Sequence, residues 1–68
     1  MNKNWFNVNQ YNVLKTFIKG ETIEFKVENK PRSATFVKVS YIGNSLTIAD
    51  ENGNEEEIEL NKITSITL

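Results

Sequence analysis

The sequence predicts a mainly β protein in which a short N-terminal helix precedes a small barrel of five antiparallel strands. Residues 21–28 (ETIEFKVE) alternate apolar and charged side chains, which is typical of a strand with one buried face. Two turn signals, Gly43-Asn44 and Glu51-Asn52-Gly53, separate the next apolar segments at hairpin spacing. Because short antiparallel strands with one apolar face cannot stay flat, we expect the sheet to curl into a barrel that the helix caps.

The first expected element is the helix, over residues 9–18 (NQYNVLKTFI). Tyr11, Leu14 and Ile18 recur there at helical spacing, and Gly20 is a stop signal after the last turn. The β-branched and aromatic residues of the same segment also suit a strand. Packed on the barrel, the helix is expected to supply a plug made of Leu14, Phe17 and Ile18.

Five strands are expected over residues 21–28, 33–42, 45–50, 54–60 and 64–68. Between the first two, Pro31 is expected to interrupt the pattern, since proline has no backbone N–H to donate to a ladder. Between the last two, residues 61–63 (NKI) are expected to form a tight turn or one turn of 3₁₀ helix. The chain is expected to form a single domain, residues 1–68.

The two hairpin turns determine which side chains share a face of the sheet. In the first, Gly43 is expected to take the positive φ of a type II′ turn, so that Ile42 pairs with Ser45. In the second, a two-residue loop would put the fourth strand's glutamates on the apolar face, whereas a three-residue loop with a left-handed Gly53 keeps them outside. One apolar face is then expected, made of Val37, Val39, Tyr41, Leu46, Ile48, Ile58 and Leu60.

Composition limits the classes of protein to consider. With 68 residues and neither cysteine nor histidine, the chain has no disulfide and no Cys/His zinc site to reinforce a small core, which favours self-association. The net charge of -1 gives no overall field that attracts nucleic acid. No apolar run approaches the roughly 20 residues of a membrane span, so we expect a soluble, cytoplasmic protein without a membrane partner. Abundant Asn, Lys and Ile are typical of AT-rich coding, as in low-GC bacteria and their phages or plasmids.

The residue types that carry most enzyme chemistry are missing or isolated. Without histidine or cysteine, no hydroxyl is activated as in hydrolytic triads, and the three glycines match no phosphate-binding loop. The acidic residues 50–59 do not have the spacing of a calcium loop, and strand alternation makes them a solvated face. We therefore expect a non-enzymatic protein with no catalytic residue, cofactor or metal site.

Two groups of residues are candidates for binding. Arg32 and Lys38 lie along the first hairpin, and Phe36 shares the parity of Lys38. Proteins bind single-stranded nucleic acids with this combination, because basic side chains contact phosphates and aromatic rings stack on bases. Alternatively, Phe36 packs under the helix or against a neighbouring subunit. Trp5 and Phe6 precede the helix and are expected either to anchor the N-terminus on the barrel or to contact a partner.

The order of elements resembles that of SH3-like small barrels, and most closely the Sm-like (Lsm and Hfq) arrangement. The resemblance rests on Gly20-x-x-Ile23-x-Phe25-x-Val27, on residues 43–48 (GNSLTI) and on residues 58–66 (IELNKITSI). The last segment is also similar to the YolD-like proteins of Gram-positive bacteria. Such patterns occur in many small barrels, so the resemblance concerns the fold more than the function.

The Sm-like resemblance implies a ring and an RNA site. In that family, the fourth strand of one protomer pairs with the fifth of the next, and RNA binds to the loops before the third and fifth strands. The corresponding positions here are Asn44 and the Asn61-Lys62 pair. The sequence lacks the family's Asp in the first loop and the Gly within its second strand, and it has Asn61-Lys62 in place of Arg-Gly or Lys-His.

These observations favour a small barrel that binds a protein partner or a second copy of itself, with the strand at residues 64–68 offering an open edge. One alternative is RNA or single-stranded DNA binding through Asn44, Asn61, Lys62 and the Arg32, Phe36 and Lys38 patch. Another alternative is an oligomer that binds a small ligand between its subunits.

Overall fold

The fold is mainly β, as the sequence predicts, with one short helix and five antiparallel strands. A computed structural model describes residues 9–67, and the helix α1 occupies residues 9–14 of this range. The strands are β1 (Thr22–Val27), β2 (Lys30–Ser40), β3 (Ser45–Ala49), β4 (Glu55–Glu59) and β5 (Ile63–Thr67). Their order in the sheet is β4-β3-β2-β1-β5, and β4 and β5, at its two ends, do not pair with each other. The sheet is therefore not closed into a barrel, contrary to the prediction.

The β1–β2 hairpin is tighter than predicted. Glu28 and Asn29 both have positive φ, 52° and 69°, which is the geometry of a two-residue type I′ turn. Pro31 lies within β2, opposite Lys26, so the prediction that it breaks the strand is wrong. The proline is tolerated because its nitrogen points away from β1, to the side on which β2 pairs with β3 only from Thr35 onward. No strand on that side of Pro31 needs an N–H.

The β2–β3 turn also differs from the prediction. Ser40 pairs with Ser45, and the turn contains the four residues 41–44, so the pairing of Ile42 with Ser45 is wrong. Asn44, not Gly43, has the positive φ, at 55°. The Ser40 hydroxyl accepts a hydrogen bond from the Gly43 N–H at 2.8 Å, which stabilises the wider turn. As a result Tyr41 and Ile42 leave the strand and are exposed.

A bulge in β2 changes which side chains of this strand enter the core. The register shifts between Phe36, which is opposite Ile48, and Lys38, which is opposite Thr47. Phe36 is consequently buried at 4% exposure. The prediction that Phe36 shares the outer face with Lys38 is wrong, because the extra residue in the bulge places the two side chains on opposite faces of the sheet.

The β3–β4 turn confirms the parity prediction. Gly53 has φ 86°, and its N–H donates to the Asp50 carbonyl oxygen at 3.0 Å. Leu46 is opposite Ile58, as the three-residue loop requires. The glutamates that alternate with Ile58 therefore stay outside the core.

The core lies between the helix and one face of the sheet. Phe17 contacts Phe36 with ring centroids 5.9 Å apart, and the buried side-chain amide of Gln10 donates a hydrogen bond to the carbonyl oxygen of Ile63. The helix ends earlier than predicted, and Ile18 is 70% exposed, so it does not belong to the plug. The buried apolar residues are Leu14, Ile23, Phe25, Phe36, Leu46, Ile48, Ile58, Leu60 and Ile63.

The burial of Phe36 predicts how the protein responds to loss of that ring. We expect Phe36→Ala to lower the free energy of unfolding by about 3–5 kcal/mol, because it leaves a cavity in the core. Urea unfolding followed by circular dichroism measures the change. Ile42→Ala is the control, with an expected change of about 0.5 kcal/mol or less, since Ile42 is 97% exposed. Equal effects of the two substitutions would contradict the placement of Phe36.

Candidate functional site

The structure brings the two loops of the predicted RNA site next to each other. The backbone N–H of Leu60 donates to the carbonyl oxygen of Asn44 at 2.9 Å, so Asn44 lies beside the 3₁₀ turn Leu60–Lys62. Lys62 is exposed, and its carbonyl oxygen accepts a hydrogen bond from the Glu28 N–H at 2.9 Å. Asn44 and the Asn61-Lys62 pair are thus on neighbouring turns.

The predicted binding residue Arg32 forms a salt bridge with Glu56 and does not join Phe36 in a nucleic-acid platform. Its guanidinium donates two hydrogen bonds to the Glu56 carboxylate, at 3.0 and 3.1 Å. Arg32 is on β2 and Glu56 on β4, with β3 between them, and both are on the face of the sheet that carries the core. Sequence reasoning missed this pair, because partners on non-adjacent strands leave no spacing signal.

The bidentate contact shifts the pKa of both partners. The hydrogen bond from Arg32 lowers the pKa of the Glu56 carboxyl, and the same bond raises the pKa of Arg32. The Arg32 and Glu56 side chains are 37% and 53% exposed, so solvent screens the attraction between their charges. Its expected contribution to stability is about 0.2–1 kcal/mol.

Three open cavities surround Arg32. Their volumes are about 290, 270 and 340 Å³, and Arg32 contributes to the wall of each. The third cavity also includes Lys62, so two of the predicted basic residues share one cavity. Its walls contain four glutamates as well, Glu28, Glu56, Glu57 and Glu59, which oppose the binding of an anion.

The remaining predicted residues lie apart from this cavity. Phe36 is in the core and cannot stack on a base, whereas Lys38 is exposed on the outer face opposite Thr47. The sequence-predicted nucleic-acid platform of Arg32, Phe36 and Lys38 is therefore not assembled. Trp5 and Phe6 lie outside the described residues 9–67.

The first acidic residue of the 50–59 segment has a local structural role. The Asp50 carboxylate accepts hydrogen bonds from the backbone N–H groups of Asn52 and Asn54, at 2.8 and 2.9 Å. The bond from Asn54 is the main cause that lowers the pKa of Asp50. Asp50 thus caps the β3–β4 turn. Within residues 9–67, no group of three or more acidic, histidine or cysteine side chains is arranged to hold a metal ion.

The outer edge of β4 presents unpaired backbone groups. Backbone bonding alternates sides along an antiparallel strand, and the bonds Asp50 N–H to Asn54 O and Leu60 N–H to Asn44 O place the even-numbered residues against β3. The N–H and C=O groups of Glu55, Glu57 and Glu59 therefore point away from β3. No other strand of the described chain lies on that side.

The outer edge of β5 also presents backbone N–H and C=O groups without a partner strand in residues 9–67. The Phe36 N–H donates to the Glu21 carbonyl oxygen, so by alternation the backbone of Lys26 bonds toward β5, where Ser65 is its partner. The N–H and C=O of the next residue, Ile66, then point to the open side. Within residues 9–67, β5 has only β1 as a neighbour.

No family model, curated protein or solved structure matches the chain significantly. Residues 9–67 contain no helix with the length and apolarity that a membrane crossing requires.

The Arg32–Glu56 pair predicts a pH-dependent contribution to stability. We expect Glu56→Gln to reduce the free energy of unfolding by up to about 1 kcal/mol at neutral pH. Because the folded state has the lower pKa, the contribution is complete above the unfolded pKa of about 4.3 and is lost as the pH falls through the folded pKa. Urea titrations across this acidic range measure it.

The matched control for this titration is Glu55→Gln, since Glu55 neighbours Glu56 and makes no salt bridge with a described residue. We expect its effect to stay near zero over the same range. A difference between wild type and Glu56→Gln that does not change with pH would show that the charge pair is not its origin.

Proposed function

We propose that the protein is a non-enzymatic binding module that self-associates by strand pairing at the open edge of β5. The observation that carries the proposal is that β5 ends the sheet with backbone groups that have no partner strand in the described chain. An exposed strand edge is a template for pairing with another chain. A small core without disulfides also gains stability from association.

The strand arrangement that we propose is that of an SH3-like fold of the Sm-like kind, with the sheet open between β4 and β5. Three features support it: the strand order β4-β3-β2-β1-β5, an 11-residue β2 that pairs with both β1 and β3, and a 3₁₀ turn between β4 and β5. The open side between β4 and β5 is where a neighbouring copy would add. An experimental structure of the oligomer tests this assignment.

The charge of the two sheet edges favours β5 for self-association. β5 has the sequence ITSIT without a charged residue, whereas β4 has the sequence EEEIE. Two β4 edges would bring like charges opposite each other, which destabilises strand pairs. Pairing at β5 avoids this repulsion, whether its partner is β5 or β4 of the next copy.

Sedimentation velocity is expected to show a dimer or a larger closed oligomer at tens of micromolar protein. We expect Ser65→Glu to shift the protein to monomer, because it puts a carboxylate in the middle of the β5 edge. Within its own chain the new carboxylate faces Lys26, so the fold is not disfavoured. The same change of charge at an exposed helix position, Asn12→Glu, is the control and should leave the oligomer intact. A strictly monomeric wild-type protein would end the self-association proposal.

Nucleic-acid binding is the second candidate function. It is supported by the hydrogen bond from Leu60 to Asn44, which puts the loops that contain Asn44 and Asn61-Lys62 side by side. It is opposed by the burial of Phe36 and by the four glutamates around the cavity of Lys62. The balance of these observations favours protein association.

A titration of labelled uridine and thymidine oligonucleotides at low salt separates the two functions. We expect no salt-dependent rise in fluorescence anisotropy, since the acidic side chains around Lys62 repel phosphates. Binding that weakens with salt and disappears in Lys62→Glu, but not in Lys19→Glu, would establish nucleic acid as the ligand instead. Lys19 is exposed before β1 and serves as the matched control.

A further inference from the structure

The outer edge of β4 differs from the edge of β5 in its charge and in its side-chain pattern. Glu55, Glu57 and Glu59 are the residues whose backbone groups point to the open side, and all three side chains are exposed. Ile58, between two of them, is buried in the core. The free edge of β4 therefore combines hydrogen-bonding backbone with a carboxylate at every second residue.

These three carboxylates have no internal counterion among the described residues. The salt bridge found within residues 9–67 joins Arg32 to Glu56, which faces the opposite side of the strand. Thr47, the residue directly opposite Glu57, is uncharged, and Lys38 lies one strand further away. A cationic side chain beside the β4 edge thus gains an attraction that the fold itself does not supply.

The space beside β4 is lined by more acidic than basic side chains. A cavity of about 340 Å³ separates β4 from the end of β1, with Glu57, Ile58 and Glu59 on one side and Val27 and Glu28 on the other. In total the walls contain four carboxylates and two cations, and one of the cations, Arg32, is already bonded to Glu56. The surroundings of the edge therefore have an excess of negative charge.

We propose that the free edge of β4 binds an extended segment of another protein that carries Lys or Arg at every second position. The segment adds to the sheet beside β4, and its basic side chains lie opposite Glu55, Glu57 and Glu59, since cross-strand neighbours share a face. A β4 edge of a second copy and a nucleic-acid backbone are both excluded as occupants by like charge. The inference rests on the proposed function, because it assigns a partner to the second edge of the same sheet.

The test uses a labelled synthetic peptide about six residues long, in which lysine alternates with valine and threonine. We expect it to bind the full chain in fluorescence anisotropy, and to protect the amides of Glu55, Glu57 and Glu59 from hydrogen exchange. Each single substitution of these residues by Gln is expected to weaken binding about two- to fivefold, as opposite-charge cross-strand pairs do. Raising the salt concentration should weaken binding as well.

The controls separate strand addition from general attraction between charges. Glu24→Gln removes an exposed carboxylate from β1, an inner strand, and should leave the affinity unchanged. A peptide of the same composition with its lysines contiguous should bind at least severalfold more weakly. Equal binding of the two peptides, or binding without amide protection, would overturn the proposal.

Sedimentation of the same samples distinguishes this inference from the function on which it rests. An oligomer that does not bind the alternating peptide would disprove the β4 assignment and leave the β5 proposal standing. A monomer that binds the peptide with protected β4 amides would disprove self-association and support the β4 edge as the binding surface.

Discussion

The fold depends on the bulge in β2, because this strand contacts both halves of the sheet. β2 pairs with β1 through residues 30–35 and with β3 through residues 35–40. With Phe36 in the core, a regular alternation would turn Lys38 inward and Val39 outward. The extra residue at Val37 reverses the facing, so that the ammonium stays in water and Val39 packs on the core. Burial of an unpaired lysine would cost far more than an interrupted ladder.

The sequence predicts local features of this fold better than features that depend on distant contacts. The β3–β4 turn was predictable, since Gly53 and the alternation around Ile58 lie within a few residues of each other. The bulge was not, because regular alternation already gives a consistent pattern, with Val37 and Val39 inside and Lys38 outside, and no residue of the segment signals an extra one. Pro31 was misread for a similar reason: whether it interrupts β2 depends on where β3 ends, which is information from another strand.

In the candidate site, too, the features set by one hairpin are predictable from the sequence, and those that depend on distant strands are not. The proximity of Asn44 to Leu60 follows from the register of a single hairpin, so it could be derived from the turn. The salt bridge between Arg32 and Glu56 crosses an intervening strand and has no counterpart in sequence spacing. The glutamates of β4 are visible in the sequence as a solvated face, but only the strand order shows that they form the end of the sheet.

Binding at the sheet edges is physically more favourable than binding in the cavities. Each cavity includes Arg32, whose guanidinium already bonds Glu56, so an anionic ligand has to compete with that carboxylate. In the cavity that contains Lys62, three further glutamates repel an anion. At the edges, a strand forms new backbone hydrogen bonds without breaking any that residues 9–67 make. Because the β5 edge is uncharged and the β4 edge is acidic, we propose different partners for the two edges. When β5 pairs with β5 of a second copy, the β4 edge stays open, and one sheet can hold that copy at β5 and a basic segment at β4.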